Sequence, residues 1–288
     1  MGEDLTRNFN YIMPQFPENS SPFDAVFKAL ERSVSRARFK PYRKATSGKI
    51  EAVALYLWNV ALCEALYPGF HFLEIALRTA TYDAMREATG NRFWYDDPYL
   101  LEVKHQEQVI EAKRRLRANG KNDNEPPRVV AELSFGFWVN LFSAPYTSKV
   151  FVLTVDKIFP ACPKRSRMQG TIYPILHTTL DFRNRVFHHE PIHHWSDLPD
   201  KHQLVQDVLH WVSPVLSSFA KTVDRFHDVY TQQSPAYHDL SWFTFMRAEQ
   251  ALIFPVVTHG VAIRPSVMLS EIDRDASQQT VNVTHGGV

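Results

Sequence analysis

The chain has little cysteine: Cys63 and Cys162 are its only two, far apart and outside any CxxC pair. Neither a disulfide framework nor a thiolate zinc site is expected from them. Glycine is scarce, at 10 of 288 residues. The segments between prolines repeat their apolar residues at a spacing near 3.6, which argues against an all-β fold. An excess of one charge is missing as well: 32 Lys and Arg face 31 Asp and Glu, a formal net charge of +1. That excludes a uniformly basic nucleic-acid binder and leaves room for local basic patches. The most apolar run, 52–67, contains Glu64 and meets Pro68-Gly69, which makes it short for a membrane span. Glu3, Asp4 and Arg7 precede any apolar run, unlike a signal peptide. These absences predict a cytoplasmic protein without membrane association. No Gly-rich phosphate loop, dinucleotide fingerprint or nucleophile elbow occurs either.

What is present is apolar and helical. Apolar residues make up 44% of the chain and aromatics 13%, enough for a substantial core. Residues 1–20 read as a flexible leader. Ser21-Pro22 has the form of a helix start, and Val26, Phe27, Leu30 and Val34 then share a face. The end of that helix and the loop after it are basic: from Lys28 to Lys49 there are eight Lys and Arg and one acid, Glu31, a local charge of +7. Within it, Arg36, Arg38, Lys40, Arg43 and Lys44 are candidates for RNA binding, although a solvated surface stretch would have the same composition. Ser47-Gly48 should break the chain before a helix that Pro68-Gly69 ends. A second helix should run over 70–88 and stop at Gly90. Glu74 and Arg78 on it are spaced for an ion pair along one face. A charged helix over 98–121 ends in a second basic cluster with Arg114, Arg115 and Arg117, which either contacts RNA or merely suits the helix dipole.

Further on, 128–143 reads as one apolar helix whose Gly136 implies close packing against another helix. A helix beginning near 164 reaches 181–191, with Pro174 bending it. A last long helix over 198–230 should be kinked by Pro214. A short helix over 241–254 and an irregular tail complete the chain. The expected organisation is therefore a leader, 1–20; an all-α domain, 21–230; and a short helix with an irregular tail, 231–288.

The stretch Asp181-Phe182-Arg183-Asn184-Arg185-Val186-Phe187-His188-His189-Glu190-Pro191 carries the chemistry. Cleaving RNA without a metal requires a proton taken from the ribose 2′-hydroxyl, a proton given to the leaving 5′-oxygen, and stabilised charge on the phosphoryl oxygens. Histidine titrates near neutrality and suits the proton transfers. Arginine grips phosphate oxygens in a fork, and an amide orients either partner. His188, Arg183 and Asn184 supply these three types. Asn184 and His188 lie one helical turn apart on a common face, whereas Arg183 and His188 lie about 140° apart. Arg183 must therefore reach round, the helix must loosen near His188, or a second copy of the chain must complete the site. A second idea is zinc held by His188, His189, His193 and His194 with Glu190 or Asp197, but adjacent histidines diverge on a helix and no HExxH pattern exists. Without either, Arg183 and His188 are ordinary features of a helix end.

The same stretch, Phe182 to Ile192, resembles the signature of the Abi-like (abortive-infection) family of the HEPN superfamily. Leu55-Tyr56-Leu57-Trp58-Asn59, Leu73-Glu74-Ile75-Ala76-Leu77-Arg78 and Ala131-Glu132-Leu133-Ser134-Phe135-Gly136-Phe137-Trp138 fit the family pattern in order, over roughly residues 25 to 225. The resemblance implies a HEPN-like helical bundle, here with extra helices and the irregular tail. It also implies a homodimer with the active site at its interface, and a metal-independent endoribonuclease of a phage-defence or toxin type that needs no cofactor. Arg183, Asn184 and His188 match the family's catalytic positions. Glu74, Arg78, His189 and Glu190 would be supporting or structural, and an antitoxin or regulatory partner would fit such a protein. Thr79 stands where the family often has Asn, which leaves that amide's role without a residue. The alternative is a non-catalytic dimeric HEPN module that binds RNA or regulates a partner.

Overall fold

The computed structural model describes residues 21–239 and residue 241, and among these every regular element is a helix. The expected leader, and the expected short helix and tail beyond 241, lie outside the described residues. In order, the helices are α1 (Ser21–Val34), α2 (Arg36–Ala45), α3 (Lys49–Thr89), α4 (Val103–Ala118), α5 (Pro126–Glu132), α6 (Phe135–Asn140), α7 (Val152–Ile158), α8 (Gln169–Phe187), α9 (Leu198–Val212), α10 (Pro214–Thr222) and α11 (Phe226–Gln232), followed by a 3-10 turn at Ser234–Tyr237.

The hub is α3. It packs against α2, α6, α7, α8, α9, α10, α11 and the last 3-10 turn. The chain was expected to break at Pro68-Gly69, and it does not: α3 is one helix of 41 residues. Proline removes one ladder hydrogen bond and crowds the carbonyl four residues before it. Here that residue is Glu64, on an exposed side of the helix where water can take the carbonyl. The flanking side chains Leu66, Phe70 and Leu73 are buried, and their packing carries the helix through. Gly69 marks a crossing rather than an end. A Cβ there would meet Val205 Cγ1 at 3.3 Å and Gln206 Nε2 at 3.5 Å, so its absence lets α9 close on α3. The helix finally stops, as expected, at Gly90, whose φ of 66° is left-handed. By length and composition α3 could cross a membrane, so the expected break at Pro68 no longer argues against one; in this fold other helices pack along it.

Three other expectations change. The basic stretch after α1 is a helix, not a loop. Ser35, at φ 73°, separates α1 from α2, and its hydroxyl accepts from Arg38 N. Phe39 and Tyr42 bury one side of α2 against Phe27 and Tyr56, which leaves its cations outside. The apolar helix expected over 128–143 is two short helices, because Ser134 caps α6 by accepting from Phe137 N. Gly136 sits on α6 facing Leu180 of α8, where an added Cβ would meet the Leu180 methyls at an ordinary 3.8 Å, so the crossing does not demand glycine. The last long helix is three pieces. Ser213 caps α10 ahead of Pro214, and Asp224 accepts from Phe226 N where α11 begins. Proline there breaks the helix rather than kinking it.

Candidate functional site

The C-terminus of α8 is built by backbone hydrogen bonds and then locked from two sides. His189 N–H donates to Val186 O at 3.1 Å and Glu190 N–H to Arg185 O at 3.0 Å, the pair of bonds that closes a helix on a left-handed residue. That residue is His189, at φ 58°. A histidine in this conformation costs about 1–2 kcal/mol relative to ordinary backbone, so the turn has to be held. Arg38 of α2 donates Nη1–H to the carbonyl of His188 at 2.9 Å and approaches that of His189 at 3.5 Å. Buried Asn59 of α3 accepts from Ile192 N at 2.8 Å and from His193 N at 3.1 Å. The sequence 188–193 is thus clamped between α2 and α3, with Ile192 fully buried.

Two cavities flank this turn. The first, of about 550 Å³, brings together Asn184, His188, Arg185, Glu190, Trp195 and Lys201. Asn184 and His188 do share one face here, as their spacing requires. Arg185 pairs with Glu190, Lys201 pairs with Asp197 at 2.9 Å, and both cations approach the Trp195 ring, at 5.7 and 5.3 Å from its centroid. The second cavity, of about 670 Å³ and mostly apolar, lies across the helix end. Val186, Phe187 and His189 of that end form one wall and Tyr56, Asn59 and Tyr67 of α3 another. His188 and His189 therefore face different cavities although they are neighbours in sequence.

Arg183 lines neither cavity. Its Nη2 lies 3.3 Å from Glu74 Oε2, its guanidinium carbon lies 4.0 Å from the centroid of the Phe187 ring, and its Nε is buried without a partner among the described residues. Loosening of the helix at His188 does not bring Arg183 round within one chain. The ion pair expected between Glu74 and Arg78 is not formed; Glu74 turns to Arg183 because α8 packs on α3, a contact between helices that spacing along one helix does not reveal.

The basic clusters divide. Arg36, Lys40, Arg43 and Lys44 line a cleft of about 590 Å³ together with Lys28 and Glu31; Arg43 pairs with Glu31 at 2.9 Å. Arg38 lies on the other side of α2, spent on the His188 turn. In the second cluster Arg114 is forked onto Glu111, Arg115 lies 3.2 Å from Glu132, and Arg117 pairs with Asp123. Carboxylates already neutralise that cluster, so the cleft beside α2 keeps the larger uncompensated positive charge.

The histidines do not converge. The His193 ring packs tilted against Tyr42, with centroids 5.0 Å apart, and burial pushes its pKa down to about 4. Among the described residues no group of three His, Cys, Asp or Glu side chains is disposed to hold a metal ion. The sequence places Asn59 in a motif and Arg38 in a basic patch, and their part in the clamp is hidden because a side chain that holds a distant turn leaves no periodic trace. Trp195 and Lys201 also line the site; their only sequence signals are a tryptophan just beyond the paired histidines and a lysine four residues after Asp197. Comparison with protein-family models, with characterised proteins and with solved structures gives no match.

Proposed function

We propose that this protein is a metal-independent endoribonuclease of the abortive-infection or toxin type, built on a HEPN-like bundle and completed by a second copy of the chain. The observation that carries the reading is His188 and Asn184 sharing one open cavity with Arg185 and Lys201 at a clamped helix end. His188 takes the proton from the 2′-hydroxyl. The freed oxygen attacks the adjacent phosphorus, and the 5′-oxygen leaves with a proton returned by a histidine. This yields a 2′,3′-cyclic phosphate and a 5′-hydroxyl. Asn184 orients the imidazole or the phosphate. Arg183 faces away from His188 within one chain, so the second copy supplies the arginine, while the one His188 takes the 2′-hydroxyl proton as base and returns it to the leaving 5′-oxygen as acid. Glu74 holds Arg183 in readiness, and the cleft beside α2 guides RNA in.

The test is cleavage by purified protein. We expect His188→Ala to lose about 10²- to 10⁴-fold in rate and EDTA to leave the wild type unchanged. Cleavage by His188→Ala at the wild-type rate overturns the proposal. A second reading follows from the pairing of Arg183 with Glu74 and Phe187: if the arginine is purely structural, the protein binds RNA without turnover. Binding that weakens steeply with salt, with no cleavage under any condition, would select it.

A further inference from the structure

The apolar cavity behind the helix end is not used by the reaction just described, yet it shares a wall with it. Its volume of about 670 Å³ falls in the ~300–1,000 Å³ range of small-ligand sites, and such sites combine apolar walls with a few placed polar groups. Tyr42, Tyr56, Tyr67 and Phe187 supply aromatic surface, and Tyr67 and Phe187 lie ring to ring at 5.9 Å. Tyr67 is about half exposed and Val60, on the rim, is 46% exposed, so the cavity is open. Asn59 lines it with an amide whose oxygen is spent on backbone, while its Nδ2 makes only a 3.9 Å contact with Cys63 Sγ. A donor thus remains available among aromatic rings. The mouth holds Arg38, and on the far side of α2 lies the cationic cleft.

Resting on the ribonuclease reading, we propose that this cavity takes one unpaired nucleobase of the RNA substrate, next to the phosphate handled at His188. A base is flat, apolar on its faces and polar at its edge, which matches aromatic walls with a single amide donor. The polyanionic backbone that carries the base is drawn by the α2 cations, and this charge match favours RNA over an apolar peptide. His188 and His189 are consecutive residues facing the two cavities, so a strand crossing the end of α8 meets both within a few ångströms. A base in a duplex cannot enter. The substrate class is therefore single-stranded or looped RNA.

The test reads binding separately from cleavage. A fluorescein-labelled, fully 2′-O-methylated single strand lacks the attacking hydroxyl, and its affinity is measured by anisotropy beside the same sequence annealed as a duplex. Val60→Trp closes the mouth from an exposed position. We expect it to weaken the single strand about 5- to 100-fold, the worth of one stacked base, and to leave duplex binding unchanged. Independently of any variant, Cys63 lines the cavity while Cys162 is buried elsewhere. Iodoacetamide at about pH 9, where a small thiolate fraction forms although burial pushes the Cys63 thiol up to about 11, should alkylate Cys63 more slowly when the single strand is bound, and at an unaltered rate with the duplex. Unchanged affinity in Val60→Trp together with unprotected Cys63 overturns the proposal. So does equal protection by the duplex. A loss of dimer in Val60→Trp by light scattering assigns the cavity to contact between copies and overturns it too. Absence of cleavage with Cys63 still protected would sink the enzyme and keep the base site; normal cleavage with Cys63 unprotected would do the reverse.

Discussion

Two residues of the clamp carry predictions that differ in kind. Asn59 Oδ1 accepts two backbone N–H groups, of Ile192 and His193. Asn59→Leu leaves both donors without that acceptor at a buried position, and stability should fall by about 2–4 kcal/mol, read from urea denaturation; a loss below half of one kcal/mol would show that the turn holds itself. His193 is a question of pH. Burial lowers its pKa from 6.5 to about 4. Above 6.5 the folded and unfolded chains are both neutral there. Between 6.5 and 4 only the unfolded chain gains the proton, so stability falls as pH falls, and the loss stops once the folded state also protonates. His105 and His202 are lowered by burial too and act in the same direction. His193→Gln should therefore lose less stability than wild type between pH 7 and pH 5, measured by urea midpoint; an equal loss would remove His193 from the account. At this scale the sequence was partly legible. Helical spacing alone put Asn184 and His188 on one face, since both belong to one helix. The direction of Arg183 was hidden because Glu74, 109 residues away, decides it.

Among the elements, α3 depends on the point where α9 crosses it. Gly69 leaves room that a Cβ would narrow to 3.3 Å from Val205. Alanine there gains about 1 kcal/mol in helix propensity and meets a contact that shifts by tenths of an ångström, so Gly69→Ala should stay within about 1 kcal/mol of wild type. Gly69→Val adds two branches into Val205 and Gln206 and should cost about 1–3 kcal/mol, seen as a lower urea midpoint. A neutral Gly69→Val would mean that α9 does not press on α3 at this point. Pro68-Gly69 shows why this helix boundary is hidden in the sequence. Pro-Gly is a strong local signal for an end, but the tertiary burial of Leu66, Phe70 and Leu73 on both sides of it outweighs one lost hydrogen bond. Elsewhere local chemistry decides even among buried side chains: Ser134 and Ser213 each cap a new helix inside what apolar periodicity reads as one. Helix existence was legible from spacing, and helix ends were legible only where the neighbouring layer did not overrule the local residues.

For the whole molecule, the decisive fact is that His188 opens outward in one cavity while Arg183 is turned toward Glu74. If each site joins His188 of one copy to Arg183 of another, His188→Ala and Arg183→Ala should each be inactive alone and should complement one another. In a two-fold dimer made of one chain of each kind, one site carries both lesions and the other carries none. Equal mixing with free exchange makes half of the dimers mixed, so activity should return to about one quarter of wild type. Activity should also fall on dilution below the dimer dissociation constant, because a lone chain holds no complete site. Mixing that restores nothing, while light scattering shows the chains have exchanged, would place histidine and arginine in the same chain. Arg183 would then have to leave Glu74 when RNA binds, and Glu74→Gln, which weakens its hold, would raise activity rather than lower it.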